Sequence, residues 1–340
     1  MSQASSARPI LRPLVPLYRL ALALRELQLR SGLEPVRRLR YPVVSIGNLS
    51  AGGAGKTPLT IALAKLLLGK GFHVDVLSRG YGRQSRLPTC VRPDGTAAEF
   101  GDEPLLIARQ TCVPVYVAPK RYDAGLLAEA DVLAQGASDS PTIHLLDDGF
   151  QHRQLARDVD ILLLNLSDWR DSLLPGGNLR EPLRALHRAN VIAIPANESE
   201  LQSELRARCW QGPIWRLHRS VDVPAVGGPI AAFCGIGRPG QFFQGLESAG
   251  LRLAARIAFP DHHPYTTADL ERLLAAARKA GATSILTTEK DSARLGNLAS
   301  VFSGSLPLLT AGLRIEIEEE SAAIDWLTAH LGRAPMRLSL

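Results

Sequence analysis

The chain has 340 residues, of which 46% are hydrophobic and 5% aromatic, and a formal net charge of +6. That length exceeds one ordinary core and suits two α/β domains, while the apolar fraction excludes a disordered or fibrous chain. The four cysteines, Cys90, Cys112, Cys209 and Cys234, form no C-x-x-C pair, which argues against a zinc site or a disulfide framework and fits a reducing compartment. The mild positive charge suits a soluble enzyme surface or one attracted to phosphate or anionic lipid. Few aromatics and no recognised nucleic-acid module argue against nucleic acid as a partner.

In chain order, residues 1–40 form a basic, apolar N-terminal segment. No run of 18 uncharged apolar residues occurs, so no transmembrane helix is expected. Arg12, Arg19, Glu26 and Arg30 are spaced for one helical stripe, leaving Leu17, Leu20, Ala21, Leu24 and Leu27 on the wide remaining face. Arginines within the apolar run argue against a secretory signal. Two readings stand: a helix docked on the main domain, or one lying in a membrane interface.

From residue 42, apolar runs alternate with helical patterns, which predicts a doubly wound α/β fold with a parallel sheet and helices on both faces, made one of the P-loop NTPase type by the motif at residues 50–57. Strands are predicted at 43–46, 73–77, 114–117, 143–146, 161–164 and 191–194, with helices at 59–68 and 103–109. The Pro- and Gly-rich segment 221–229 reads as a linker. Beyond it, strands at 230–233, 253–259, 285–288 and 308–315 and a helix at 269–280 predict a second, smaller α/β domain. The expected division is 41–220 and 230–340. Nearly every glycine-rich or polar cluster begins where a predicted strand ends, which places these clusters on one rim, where open α/β sheets bind ligands.

The strongest motif is SAGGAGKT, comprising Ser50, Ala51, Gly52, Gly53, Ala54, Gly55, Lys56 and Thr57, between a strand and a helix. Glycines let successive N–H groups turn to phosphate oxygens, and the helix N-terminus adds its positive end. Lys56 is expected to reach the β- and γ-phosphates of ATP and Thr57 to ligate Mg²⁺. Ser50 stands where the general pattern has glycine. Ala51 stands where partitioning and switch ATPases carry a second lysine, which weakens a switch-dimer reading.

In IHLLDDGFQH, Asp147 and Asp148 end an apolar run beside the P-loop. Adjacent carboxylates on extended chain diverge, so one is expected at the metal and the other on a neighbour. Asp102, in GDEP, reads equally as a helix cap or as a functional carboxylate. In FPDHHP, His262 beside Asp261 suits a general base. In PGGNLREP, Arg180 and Glu181 read either as a surface ion pair or, through Arg180, as a phosphate clamp.

Together, GN-LSAGGAGKTP, SRGYGR, GDEP-LLIA, DDGFQHR, LREP, FCGIGRP, FPDHH-Y and TTEKD resemble, in this order, the tetraacyldisaccharide 4′-kinase family of lipid A biosynthesis. The resemblance runs from roughly Val43 to Arg294, with small departures at Ala54 and Arg83. It implies transfer of the ATP γ-phosphate, with Mg²⁺, to the 4′-hydroxyl of an acylated glucosamine disaccharide 1-phosphate. It also implies work at the cytoplasmic face of the inner membrane of a Gram-negative bacterium, with an anionic membrane surface and no obligate protein partner. That setting favours membrane contact for the N-terminal helix. The family's catalytic pair maps onto Asp102 and His262, with Asp102 accepting the hydroxyl proton. By the same resemblance, Thr57, Asp147, Asp148 and Glu181 are the expected metal shell. Arg180, Arg121 and Asn48 are expected at the substrate, and Glu289, Lys290 and Asp291 at the nucleotide base. Two other classes remain: a P-loop switch ATPase acting through a partner, and a soluble ATP-dependent synthetase with a carboxylate substrate.

Overall fold

A computed structural model describes residues 8–52, 55–136 and 141–332. Its strands are β1 (Val43–Asn48), β2 (His73–Ser78), β3 (Thr89–Cys90), β4 (Val115–Val117), β5 (Thr142–Asp147), β6 (Val159–Leu163), β7 (Val191–Pro195), β8 (Ile214–Asp222), β9 (Ile230–Cys234), β10 (Leu253–Ala258), β11 (Ser284–Thr288) and β12 (Leu308–Ile317). They form a single sheet ordered β10-β9-β11-β12-β8-β7-β6-β1-β5-β2-β4-β3. The central N-terminal strands are buried along their whole length, as strands covered by helices on both faces are.

The two halves of this sheet do not share one rim. The first part of β12 runs parallel with β11, pairing Ala311 with Thr288, and its second part runs antiparallel to β8, pairing Gly312 with Asp222. The carboxyl ends of β8 and β11 therefore meet head-on at Ala311 and Gly312. One parallel block carries the P-loop, the other carries the clusters after β9, β10 and β11, and their carboxyl rims face each other across a cleft. Sequence patterning missed β8 because its far half is polar and exposed, which blurs a strand signal.

The expected boundaries shift accordingly. Residue 221 lies within β8, not in a linker. Ile315 and Ile317 of β12, with Ile324, Leu327 and Leu331 of the helix Glu320–Gly332, pack into the core of the N-terminal block beside Val44, Leu59 and Leu63. The C-terminal block has its own core around Phe233, Leu270, Leu273 and Ile285.

The helix Val15–Arg30 is docked and exposed at once. Val15, Tyr18 and Leu22 pack on the core around Phe150 and Leu164. Tyr18 donates to the carbonyl of Arg180 at 2.9 Å and Arg25 to that of Gln151 at 2.9 Å, while Glu26 pairs with Arg153. Leu17, Leu20, Leu24 and Leu27 face outward, each more than half exposed. Among the described residues, no helix is long and apolar enough to cross a membrane.

Beneath the sheet lies a buried charge cluster. Asp75 of β2 sits beside His144 of β5 in register. His144 Nδ1 lies 2.8 Å from the Asp75 carboxylate and Nε2 lies 3.5 Å from Glu129, whose carboxylate also accepts from the amides of Arg40 and Tyr41. Burial opposes charge on the ring, but the two carboxylates outweigh it and raise its pKa to about 9. A raised folded-state pKa gives stability that is complete below the unfolded value near 6.5 and is lost as pH rises through about 9. In urea titrations, wild type should lose about 3 kcal/mol between pH 6.5 and 9.5 relative to Asp75→Asn, which lacks the main partner. Equal pH slopes for the two proteins would refute a charged His144.

Candidate active site

The cleft encloses about 810 Å³ between the two rims. Its floor is the P-loop. β1 ends in Gly47 and Asn48, and a Cβ on Gly47 would fall 2.5 Å from that of Phe150. This close approach lets the DDGF turn pack directly on the P-loop strand. Gly52 and Gly55 have φ of +108° and +91°, which a β-carbon would disfavour, and the helix Lys56–Gly69 starts from the second of them. Ala51, Gly52, Gly55, Lys56 and Thr57 line the cleft. Gly53 and Ala54 lie outside the described residues. Ser50 is buried and points away from the cleft, its hydroxyl accepting from the Asn48 amide at 3.0 Å.

The paired aspartates separate as divergence on an extended chain requires. Asp147 is enclosed. One oxygen accepts from the Thr60 hydroxyl at 3.1 Å and Oδ2 has no protein partner. Burial first, then Glu103 and Asp148, raise its pKa to about 7. Asp148, in left-handed backbone at φ +50°, pairs with Lys56 at 3.3 Å and Arg180 at 3.2 Å. Burial would raise its pKa, but these two cations outweigh it and hold it at about 2. Asn48 does not line the cleft: its side-chain oxygen accepts from Lys56 at 3.1 Å and Arg180 at 2.7 Å, orienting both. Glu181 also turns away, paired with Arg188 at 2.7 Å, so it stands outside the metal shell expected of it.

One wall is basic: Arg25, Arg79, Arg121, His152 and Arg180. Burial lowers the pKa of Arg121 to about 10, with Arg79 adding to the shift and Asp148 and Asp147 opposing it. Burial, then Arg121 and its neighbours, lowers that of His152 to about 3, so the imidazole is neutral. Such a wall suits a phosphate or another anion.

Ion pairs cross from rim to rim. Lys290 pairs with Glu103, Arg238 with Asp168 at 2.9 Å, and Arg294 with Asp102. His262, with φ +57°, brings Nδ1 to 3.2 Å from Asp102 Oδ2 and stacks obliquely near Tyr81. The expected pair thus assembles from GDEP and FPDHH, with His262 rather than Asp102 turned to the cleft. Asp102 is 5% exposed and does not line the cleft, whereas the His262 side chain is 36% exposed and does. That exposure puts the imidazole, not the carboxylate, at the surface an acceptor in the cleft would meet. Burial works against charge on Asp102, yet His262, Arg294 and Lys290 together hold its carboxyl well below the usual range.

TTEKD divides likewise. Glu289 and Lys290 line the cleft, but Asp291 is fully buried. It caps the helix Glu289–Leu295 with Thr288 and accepts from the Gly235 amide, the Tyr265 hydroxyl and Arg294. Asp291 is therefore scaffold and cannot touch a base. Thr288 and Asp291 carry the T-x-x-D spacing of a capping box, the signal that could have shown this. Sequence reasoning missed Arg294, although it lies one helical turn after Asp291 and on its face.

A phosphate-cradling loop of this build, opening onto a cleft roomy enough for a second reactant, places the chain among the P-loop nucleotide-using enzymes. Its family follows from comparison with known proteins. The profile described as Tetraacyldisaccharide-1-P 4′-kinase matches residues 7–332, and the chain belongs to that family. A tetraacyldisaccharide 4′-kinase of Koribacter versatilis (strain Ellin345) is 39% identical over 325 residues, 93% of this chain and 97% of the relative. One from Parvibaculum lavamentivorans (strain DS-1) is 39% identical over 338 residues, 97% and 94% of the two chains. The solved "apo" form of LpxK from Aquifex aeolicus in complex with ATP has a TM-score of 0.71 at 31% identity, covering 95% of this chain and 99% of that one.

Lys56→Ala should fold with a near-normal thermal melt and lower kcat at least about a hundredfold, as for loss of a major transition-state charge. Turnover near wild type in the folded variant would exclude the P-loop as the catalytic cradle.

Proposed function

We propose that this chain transfers the γ-phosphate of ATP to the 4′-hydroxyl of a tetraacyl glucosamine disaccharide 1-phosphate. Family membership across residues 7–332 supports the reaction. The single geometric observation that carries it is that His262, from one rim, and the P-loop lysine, from the other, line the same cleft of about 810 Å³.

The protein's part in the transfer follows from charge and access. Lys56 and the loop amides stabilise negative charge on the transferring phosphoryl group. Asp148 and Asn48 hold Lys56 and Arg180 in place. Arg180 and Arg121 suit the acidic parts of the sugar phosphate. His262 takes the acceptor's proton at Nε2, while Asp102 fixes the ring through Nδ1. Glu289, beside Gly312 and Leu313 at the apolar end of the cleft, remains the candidate contact for the nucleotide base.

The residues present fit Mg²⁺. The Thr57 hydroxyl and the unpartnered Oδ2 of Asp147 are hard oxygen donors in the cleft wall. Among the described residues no three His, Cys, Asp or Glu converge on a metal position. When bound, Mg²⁺ would neutralise charge on the β- and γ-phosphates.

Two observations disfavour the other classes. Ala51 lacks the amine a switch dimer would insert, and the family match across residues 7–332 is to a 4′-kinase rather than a synthetase. Incubation with ATP, Mg²⁺ and a tetraacyl disaccharide 1-phosphate should yield a product heavier by one phosphoryl group and stable to hydroxylamine. A hydroxylamine-trapped acyl phosphate would indicate a synthetase, and ATP hydrolysis without product a switch ATPase.

For localisation, the proposal is a monotopic enzyme on the anionic cytoplasmic face of a Gram-negative inner membrane. Leu17, Leu20, Leu24 and Leu27 are outward on a helix already docked by its other face. Burying the exposed part of each in the interface would contribute about 1–2 kcal/mol. Leu20→Ser with Leu24→Ser, or Arg12, Arg19 and Arg30 reversed to Glu, should reduce sedimentation with anionic liposomes severalfold. Undiminished sedimentation of both variants would leave the helix with only a structural role.

A further inference from the structure

Asp102 has little freedom in this structure. Its Oδ1 accepts from the Glu103 amide at 2.9 Å. Its Oδ2 receives both Nε, at 2.8 Å, and Nη2 of Arg294, and lies 3.2 Å from His262 Nδ1. The third guanidinium nitrogen, Nη1, donates to the Gly235 carbonyl at 2.6 Å and to Asp291 Oδ1 at 2.8 Å. Asp291 in turn is fixed by Thr288, Tyr265 and the Gly235 amide. Arg294 is thus a buried fork with one side on the C-terminal block and the other on Asp102 of the N-terminal block.

We infer that Arg294 is the positioning residue of the proton-transfer pair: it fixes Asp102 as a carboxylate turned to His262 Nδ1, leaving the imidazole as the member that meets the acceptor hydroxyl. This rests on the kinase reading above and adds a residue to it. A carboxyl buried as Asp102 is would, alone, favour its neutral form. A neutral Asp102 would neither orient the ring by accepting from Nδ1–H nor stabilise the imidazolium formed after proton uptake. Arg294 removes that option, and its planar fork fixes direction as well as charge, which an ammonium cannot do.

The surrounding charges set the sign of the effect. Asp102 faces Arg294, Lys290 and His262. His262 faces Asp102, Asp261 and Arg294, whose Nη2 lies 3.2 Å from Nδ1, with the Tyr81 ring alongside. Arg294 faces Asp102, Asp291 and Tyr265. Hydrogen bonding to Asp102 raises the pKa of His262 and Arg294 lowers it. Losing the guanidinium would let both members of the pair hold protons to higher pH.

The test uses the full chain with ATP, Mg²⁺ and tetraacyl disaccharide 1-phosphate, comparing wild type with Arg294→Gln and Arg294→Lys. Arg294→Gln should lose at least about tenfold in kcat at pH 7, with KM for ATP within about twofold because Arg294 lies outside the phosphate cradle. The acid limb of its kcat/KM profile should move up by about one pH unit. Arg294→Lys should leave the acid limb near the wild-type position while recovering only part of kcat. Activity reduced equally at every pH in a folded Arg294→Gln would mean a merely structural contact and overturn the inference. Should the glutamine variant not fold, the lysine variant decides. Full wild-type kcat, a displaced acid limb, or a KM for ATP raised along with a thermal melt lowered in step with the lost activity overturns the inference; reduced kcat on an unmoved limb, at unchanged KM for ATP and a near-normal melt, supports it. Absence of product from wild type would instead overturn the kinase reading itself, and this inference with it.

Discussion

β12 is shared by two parallel blocks that run toward each other. Its first residues extend the C-terminal block and its last residues pair in reverse with β8, so both blocks end at Ala311 and Gly312. Clusters at strand carboxyl ends would share one rim in an ordinary doubly wound sheet. Here the head-on meeting makes them two opposing walls, with phosphate-binding machinery on one and His262, Lys290 and Arg294 on the other. Gly312 sits at the junction, where a Cβ would come within 2.9 Å of the Glu289 carboxylate. The cleft and every ion pair across it depend on this reversal.

Charge burial then decides what each acidic group does. Asp147 and Asp148 are neighbours in sequence, yet one carboxyl is pushed to about 7 and the other held at about 2. The difference is placement: Asp147 is enclosed with an unpartnered oxygen, and Asp148 lies between Lys56 and Arg180. Divergent environments for paired carboxylates assign separate roles within one site. The pairs Lys290–Glu103, Arg238–Asp168 and Arg294–Asp102 join the two walls. Charge pairs of this buried kind are costly to break one partner at a time, because the remaining charge is stranded.

The N-terminal helix, whose periodicity left two readings open, is docked by one face and leaves an apolar face outside. Tyr18, Leu22 and Arg25 attach it beside the cleft, with Tyr18 bonded to the Arg180 carbonyl and Arg25 lining the cleft itself. The leucines opposite remain outside. An apolar surface so close to the basic wall suits an acceptor whose sugar phosphate must reach the P-loop while its acyl chains stay elsewhere.

Much of this was legible in the sequence because it depends on local chemistry. The P-loop, most strands and the helices after them follow from glycine placement and from periods of 2 and 3.6 residues, which neighbouring residues set among themselves. Family resemblance brought Asp102 and His262 together before any coordinates did. Local pattern could not give β8, whose polar half reads as loop, nor its antiparallel pairing with β12, which is a relation between residues some 90 positions apart. Nor could it tell that Asp291 and Glu181 face inward, or that Arg294 occupies Asp102. Glu181 is turned by Arg188, Asp291 by Gly235, Tyr265 and Thr288, and Arg294 by Asp102 of the other block, all of them distant in sequence or set by packing, so the sequence determined which groups are present and the tertiary structure alone decided which of them meet.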